Sequence, residues 1–217
     1  LADLASSQNR QAWLDEVDRA ISNRTLRSSS EDNSDNPGPE SICQAVQKIL
    51  NDAADPILIC DGGEFGQWAQ AFCQAPTRII NGLSGAIGGA LCYAVAASIA
   101  RPGATIVAMM GDGTAGFHST EFETAAREHA RFIAVVGNDS RWNAEYMIQI
   151  REYGSDRLYG CTLSEEARYD QLASALGAQG AYVERPEQLG EVFNSALNNS
   201  NATCINIRMQ GKAAPVF

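Results

Sequence analysis

The chain has 217 residues, 45% hydrophobic and 19% charged, which supports one large buried core and argues against general disorder. Lys and Arg number 16 against 26 Asp and Glu, a formal charge of −10 whose field repels phosphate backbones and anionic lipid. No nucleic-acid or membrane partner is therefore expected, and a phosphorylated ligand would have to be held by backbone amides and a metal ion.

Residues 1–27 carry an amphipathic helical pattern in Trp13, Leu14, Val17 and Ile21. Residues 28–39 are polar and end in Pro37-Gly38-Pro39, the composition of a linker. Residues 1–38 are thus read as the helical tail of a preceding, absent domain plus a flexible linker, and residues 39–217 as the functional domain. The start at Leu1, with no Met and no basic-then-apolar leader, reads as a fragment or a processed start.

From Pro39 a helical stretch over 40–52 leads to the apolar run 56–60, which ends in Asp61-Gly62-Gly63. Further strand-like runs cover 78–80, 104–110, 132–136 and 203–207, with helical patterns at 85–100, 119–130, 169–176 and 186–198. Apolar runs without alternation, separated by helices, describe parallel strands buried on both faces. The expected fold is α/β, a doubly wound, mainly parallel sheet with helices on both faces and its ligand beyond the carboxyl ends of the strands. The stretch 85–100 is too short for the ~20 residues of a membrane span. The six cysteines, at 43, 60, 73, 92, 161 and 204, show no CxxC spacing and read as buried free thiols in a reducing, cytoplasmic compartment.

The segment Met110-Gly111-Asp112-Gly113-Thr114-Ala115-Gly116 places a tight glycine turn at the end of a strand and before a helix, an arrangement that offers free amides to a phosphate. Gly111, Gly113 and Gly116 alone satisfy the dinucleotide fingerprint, with Asp139 as the acid 23 positions on, so a Rossmann NAD-binding oxidoreductase domain is one alternative. Asp112 weighs against it. A bare carboxylate 4 Å from a phosphate charge costs on the order of 4 kcal/mol at an effective dielectric near 20. A divalent cation between the two removes that penalty and requires a second oxygen ligand nearby. Asp139 closes the next strand, 27 positions after Asp112, which is one right-handed crossover and brings the two strand tips together. Mg²⁺ takes six hard oxygens, and two acids, a backbone carbonyl, two phosphate oxygens and a water complete that set.

Gly111-Asp112-Gly113 followed by Asn138-Asp139 resembles the signature of the thiamine diphosphate-dependent enzymes, GDG and then NN some 25 to 30 residues later. The nearest likeness is to the diphosphate-binding, C-terminal domain of acetolactate synthase-like proteins. It runs through Asp61-Gly62-Gly63 with Trp68, Gly85-Ala86-Ile87-Gly88 and the pattern from Tyr169 to Ile207. The resemblance implies Asp112, Asp139 and the main-chain carbonyl of Arg141 as Mg²⁺ ligands. It implies Gly111, Gly113 and Thr114 as a cradle for the diphosphate, with Gly63, Glu64 and Phe65 from the first strand and Trp142 and Asn143 from the same cofactor loop. Ala86 and Ile87 match the segment whose bulky apolar residue props the cofactor into its bent form. Two departures stand out: Asp139 occupies a position usually held by Asn, and Glu64 adds an acid near the phosphates.

Such enzymes act as decarboxylases and carboligases on a small 2-oxo acid or aldehyde, usually as homodimers or homotetramers. Their activating Glu lies in a pyrimidine-binding domain of the same or a neighbouring subunit, so this chain should be inactive alone and carries no catalytic residue of its own. A catalytically inactive module of the same fold is the remaining alternative. His118, His129, Glu121 and Glu123 read as surface or capping groups, and Trp68 and Trp142 as packing or pocket walls.

Overall fold

The computed structural model describes residues 10–22, 35–81 and 85–215. The chain divides into two compact units, residues 1–31 with 215–217 and residues 32–214. In the first, helix α1 (Gln11–Ser22) fulfils the amphipathic pattern, with Trp13 and Leu14 exposed. The side chain of Ile21 and linker residues 28–34 lie outside the described residues.

The second unit is built on a six-stranded parallel sheet of β1 (Pro56–Cys60), β2 (Thr77–Ile80), β3 (Thr105–Gly111), β4 (Ile133–Asn138), β5 (Gln179–Val183) and β6 (Thr203–Arg208). Their spatial order is β2-β1-β3-β4-β6-β5, and every pairing is parallel. Because side chains alternate across a strand, each central strand feeds two cores. Leu58, Val107, Met109, Ile133, Val135 and Ile205 face one way, against α2 (Pro39–Asp52), α3 (Gly63–Phe72) and α9 (Leu189–Asn198). Ile57, Ile59, Ile106, Ala108, Ala134 and Val136 face the other way, against α4 (Ala90–Ala100), α6 (Glu121–Arg127) and α8 (Tyr169–Ala175). The expected doubly wound fold is therefore present. Among the described residues no helix is long and apolar enough to cross a membrane.

Three local expectations need correction. The helix expected from residue 85 starts at Ala90, because residues 85–89 form a loop, with the Gly88 amide and the first helical amide, Ala90, turned onto Asp61. Helices α3 and α7 (Asn143–Tyr153) arise where no helix was expected, and β5 supplies an edge strand absent from the sequence reading. All six cysteines are free thiols, buried except for half-buried Cys92. Where the second unit begins and ends, Gln210 donates through its side chain to the Asn36 carbonyl at 2.7 Å and through its backbone to Pro37 at 3.2 Å.

Candidate functional site

Strand order reverses between β1 and β3, since β2 lies on one side of β1 and all later strands on the other. A cleft opens there beyond the carboxyl ends, where parallel sheets bind ligands. Its walls come from the ends of three strands: Gly62, Gly63, Glu64 and Phe65 after β1, Gly111 to Thr114 after β3, and Gly137, Asp139 and Arg141 after β4. Ile87, Gln67 and residues 142–145 complete the lining.

At the tip of β1, Asp61 is 2% exposed and works as a brace. Its Oδ1 accepts from the amides of Gly62 at 2.7 Å and Gly88 at 2.8 Å, and its Oδ2 from Ala90 at 3.0 Å. This ties the start of α4 to β1 and sets Ile87 directly on Gly62, where a Cβ would lie 2.4 Å from the Ile87 Cγ2. His118 holds the same loop through a 2.8 Å contact between its Nδ1 and the Gly88 carbonyl.

At the tip of β3, Gly111 leads into the single turn α5 (Asp112–Ala115). Asp112 is 2% exposed; its Oδ1 accepts from the Gly113 amide at 3.0 Å, while its buried Oδ2 has no partner. The Trp142 ring lies flat against Gly113, so a Cβ at 113 would sit 2.7 Å from it. Gly111 pairs with Gly137 across β3 and β4, which puts Asp139 beside Asp112. Burial, reinforced by the Asp139 charge, pushes Asp112 up to about 7, and burial pushes Asp139 to about 6 against the opposing pull of Arg141. Two desolvated carboxylates near enough for one to raise the other, one of them with an idle oxygen, form a site short of positive charge.

Beyond β4, Ser140 adopts φ +58° and turns the chain so that Asp139 and Arg141 line the cleft while Ser140 itself is buried. Asn143 donates from Nδ2 to the Lys212 carbonyl at 3.0 Å, but its buried Oδ1 has no partner. Glu64, raised by burial, turns one oxygen away from the strand tips to accept from the Ala214 amide.

The structure therefore brings together Gly63, Glu64, Phe65, Ile87, Gly111, Asp112, Gly113, Thr114, Asp139, Arg141, Trp142 and Asn143 around one cleft. Ala86 is exposed and outside its lining. Sequence reasoning gave no part to Gln67, Gly137 or Glu145, which also line it, or to the brace Asp61. Trp68 is core, stacked on Phe72 at 5.2 Å, whereas Trp142 is a wall of the cleft.

The residues fit a divalent cation carrying a diphosphate. The idle Asp112 oxygen belongs to a carboxylate that feels the charge of a second acid, Asp139, and Asn143 offers another unpartnered acceptor in the lining. Among the described residues no three acid, His or Cys side chains gather as a metal cluster, so a cation held here would need further oxygens from main-chain carbonyls or from its ligand.

Comparison with known proteins bears on the family of this domain. The model of the family described as "Thiamine pyrophosphate enzyme, C-terminal TPP binding domain" matches residues 61–207. The chain is 29% identical over 160 residues to an acetolactate synthase large subunit of Mycobacterium tuberculosis, covering 70% of this chain and 28% of that protein. It is 34% identical over 150 residues to 2-hydroxyacyl-CoA lyase 2 of Mus musculus, covering 68% and 23%. Among solved structures, the thiamine diphosphate-dependent 4-hydroxybenzoylformate decarboxylase of Rhodococcus jostii RHA1 superposes with a TM-score of 0.75 at 20% identity, covering 85% of this chain and 35% of that one. The chain thus spans about a quarter of the length of the curated relatives it matches.

Proposed function

The chain belongs to the thiamine pyrophosphate enzymes, of which it carries the C-terminal cofactor-binding domain, and on that premise we propose that its cleft holds the diphosphate end of thiamine diphosphate through Mg²⁺. The observation that carries this reading is the buried Asp112, with one carboxylate oxygen left unpartnered, beside the half-buried Asp139 at the next strand tip. Asp112, Asp139 and the Arg141 carbonyl are the proposed metal ligands. The turn at Gly111, Gly113 and Thr114 is proposed to meet the phosphates, with Gly63, Glu64, Phe65, Trp142 and Asn143 around them and Ile87 against the middle of the cofactor.

When bound, thiamine diphosphate supplies a nucleophilic thiazolium carbon and an electron sink. This chain's own part would be to bind and orient: Asp112 and Asp139 would hold the cation, whose charge would offset their mutual repulsion, and the apolar walls of Phe65, Ile87 and Trp142 would keep water from the cofactor. The relatives' names support a decarboxylase or carboligase of the acetolactate synthase type, acting on a small 2-oxo acid or aldehyde. The activating Glu is proposed to come from a pyrimidine-binding domain of the same or a neighbouring subunit, within a dimer or tetramer, with residues 1–38 as the connecting tail. Alone, the chain is proposed to bind cofactor without turning substrate over.

Calorimetric titration with thiamine diphosphate, with and without Mg²⁺, tests the reading. Binding should require the metal and vanish in Asp112→Ala. Metal-independent binding, or unchanged affinity in that variant, would refute it.

A further inference from the structure

A chain of buried polar groups runs from the outer end of the sheet to the turn after β4. Asn206, on β6, has no exposed surface, and Asn138, at the end of β4, has 1%. Both face the α8 side of the sheet, where Cys204, Val136 and Ala134 pack in apolar contact. Asn206 spends its whole amide on partners. Its Nδ2 donates to Asp170 Oδ1 at 3.2 Å and to the Ala167 carbonyl at 3.3 Å, and its Oδ1 accepts from Asn138 Nδ2 at 3.2 Å. Asp170 is fixed in turn by a bidentate pair with Arg168, at 2.9 and 2.7 Å, and the Arg168 guanidinium lies 4.0 Å over the Tyr182 ring.

The other end of the chain reaches the cleft. Asn138 Oδ1 accepts from the Ser140 amide at 3.1 Å and from the Ser140 hydroxyl at 3.3 Å, and Arg208 donates to that same hydroxyl. Ser140 is the residue at φ +58°, a conformation that non-glycine residues adopt at a cost and keep only when the surroundings hold them. Asp139 and Arg141 flank it. Every polar atom of the Asn206 amide is spent on holding a neighbour, so its contribution lies in orientation.

We propose that Asn206 is a positioning residue for the cation site: held by Asp170 and Arg168, it fixes Asn138, and through Asn138 the left-handed turn at Ser140 that presents Asp139 and the Arg141 carbonyl. The proposal rests on the function proposed above, because the turn matters only if its two neighbours ligate a metal. Groups one layer behind metal ligands typically alter affinity about 10- to 100-fold.

The test measures Mn²⁺ binding by the full chain in the presence of thiamine diphosphate, from the loss of the free-ion electron paramagnetic resonance signal. Asn206→Leu should bind Mn²⁺ at least about 10-fold more weakly than the wild type. Leu189→Ala, which opens a hole in the opposite core, should lower the melting temperature and leave Mn²⁺ affinity unchanged. If Asn206→Leu does not fold by circular dichroism, Asp170→Asn serves instead, with weakening of at least about 3-fold expected. Equal affinity in wild type and Asn206→Leu would overturn the proposal while leaving the site reading intact. A wild-type chain that takes up no Mn²⁺ would overturn the site reading, and this proposal with it.

Discussion

Asp112→Asn should make the metal-free chain more stable than the wild type above neutral pH. Asp112 titrates near 7 in the folded chain, raised by burial and then by Asp139, against about 3.9 for an aspartate in an unfolded chain. The folded state therefore holds this proton more tightly than the unfolded state does. The associated stability is complete below pH about 4 and is lost as the pH rises through about 7. Each pH unit between the two midpoints is worth about 1.36 kcal/mol, so full ionisation costs up to about 4 kcal/mol. Some relaxation of the carboxylates towards the open cleft reduces this, and 2–4 kcal/mol is a reasonable order of magnitude, or roughly 5–10 °C in melting temperature for a chain of this size. The assay is thermal or urea unfolding of both proteins in a chelator at pH 5 and pH 8. The asparagine variant should gain on the wild type between the two, and adding Mg²⁺ with diphosphate at pH 8 should reverse the order. A wild type as stable as the variant at pH 8, or a gap that does not change with pH, would refute the electrostatic reasoning.

Other outcomes follow from the packing of the cleft. Gly113→Ala should weaken diphosphate binding by about 10-fold or more in calorimetry, because its methyl group meets the Trp142 ring at 2.7 Å and must displace the wall. Ile87→Ala should leave the affinity for inorganic pyrophosphate unchanged and weaken that for thiamine diphosphate, which separates a prop for the cofactor's middle from an ordinary core residue.

The central strands were legible because β1, β3 and β4 are apolar on nearly consecutive positions, as burial on both faces demands, while β6 keeps Cys204, Ile205 and Ile207 around the polar Asn206. Strand β5 escaped notice because it lies at the edge and opens with exposed Gln179 and Gly180. Gly180 is there because a Cβ would collide with the Asp170 carbonyl, a tertiary reason that no local pattern displays. Helix α3 begins in a glycine-rich stretch, and α7 carries no clear apolar stripe. The strand-tip acids were readable from their interval and from the turn glycines, since one crossover fixes both. The brace at Asp61 and the amide chain through Asn206 were not, because their partners lie 27 to 68 positions away along the chain.

The bonds from Gln210 to Asn36 and Pro37 close the second unit like the drawstring of a bag. Entry and exit leave the body at one seam, so a larger polypeptide can take up this module through a single surface loop, with no stretch of chain needed to span its width.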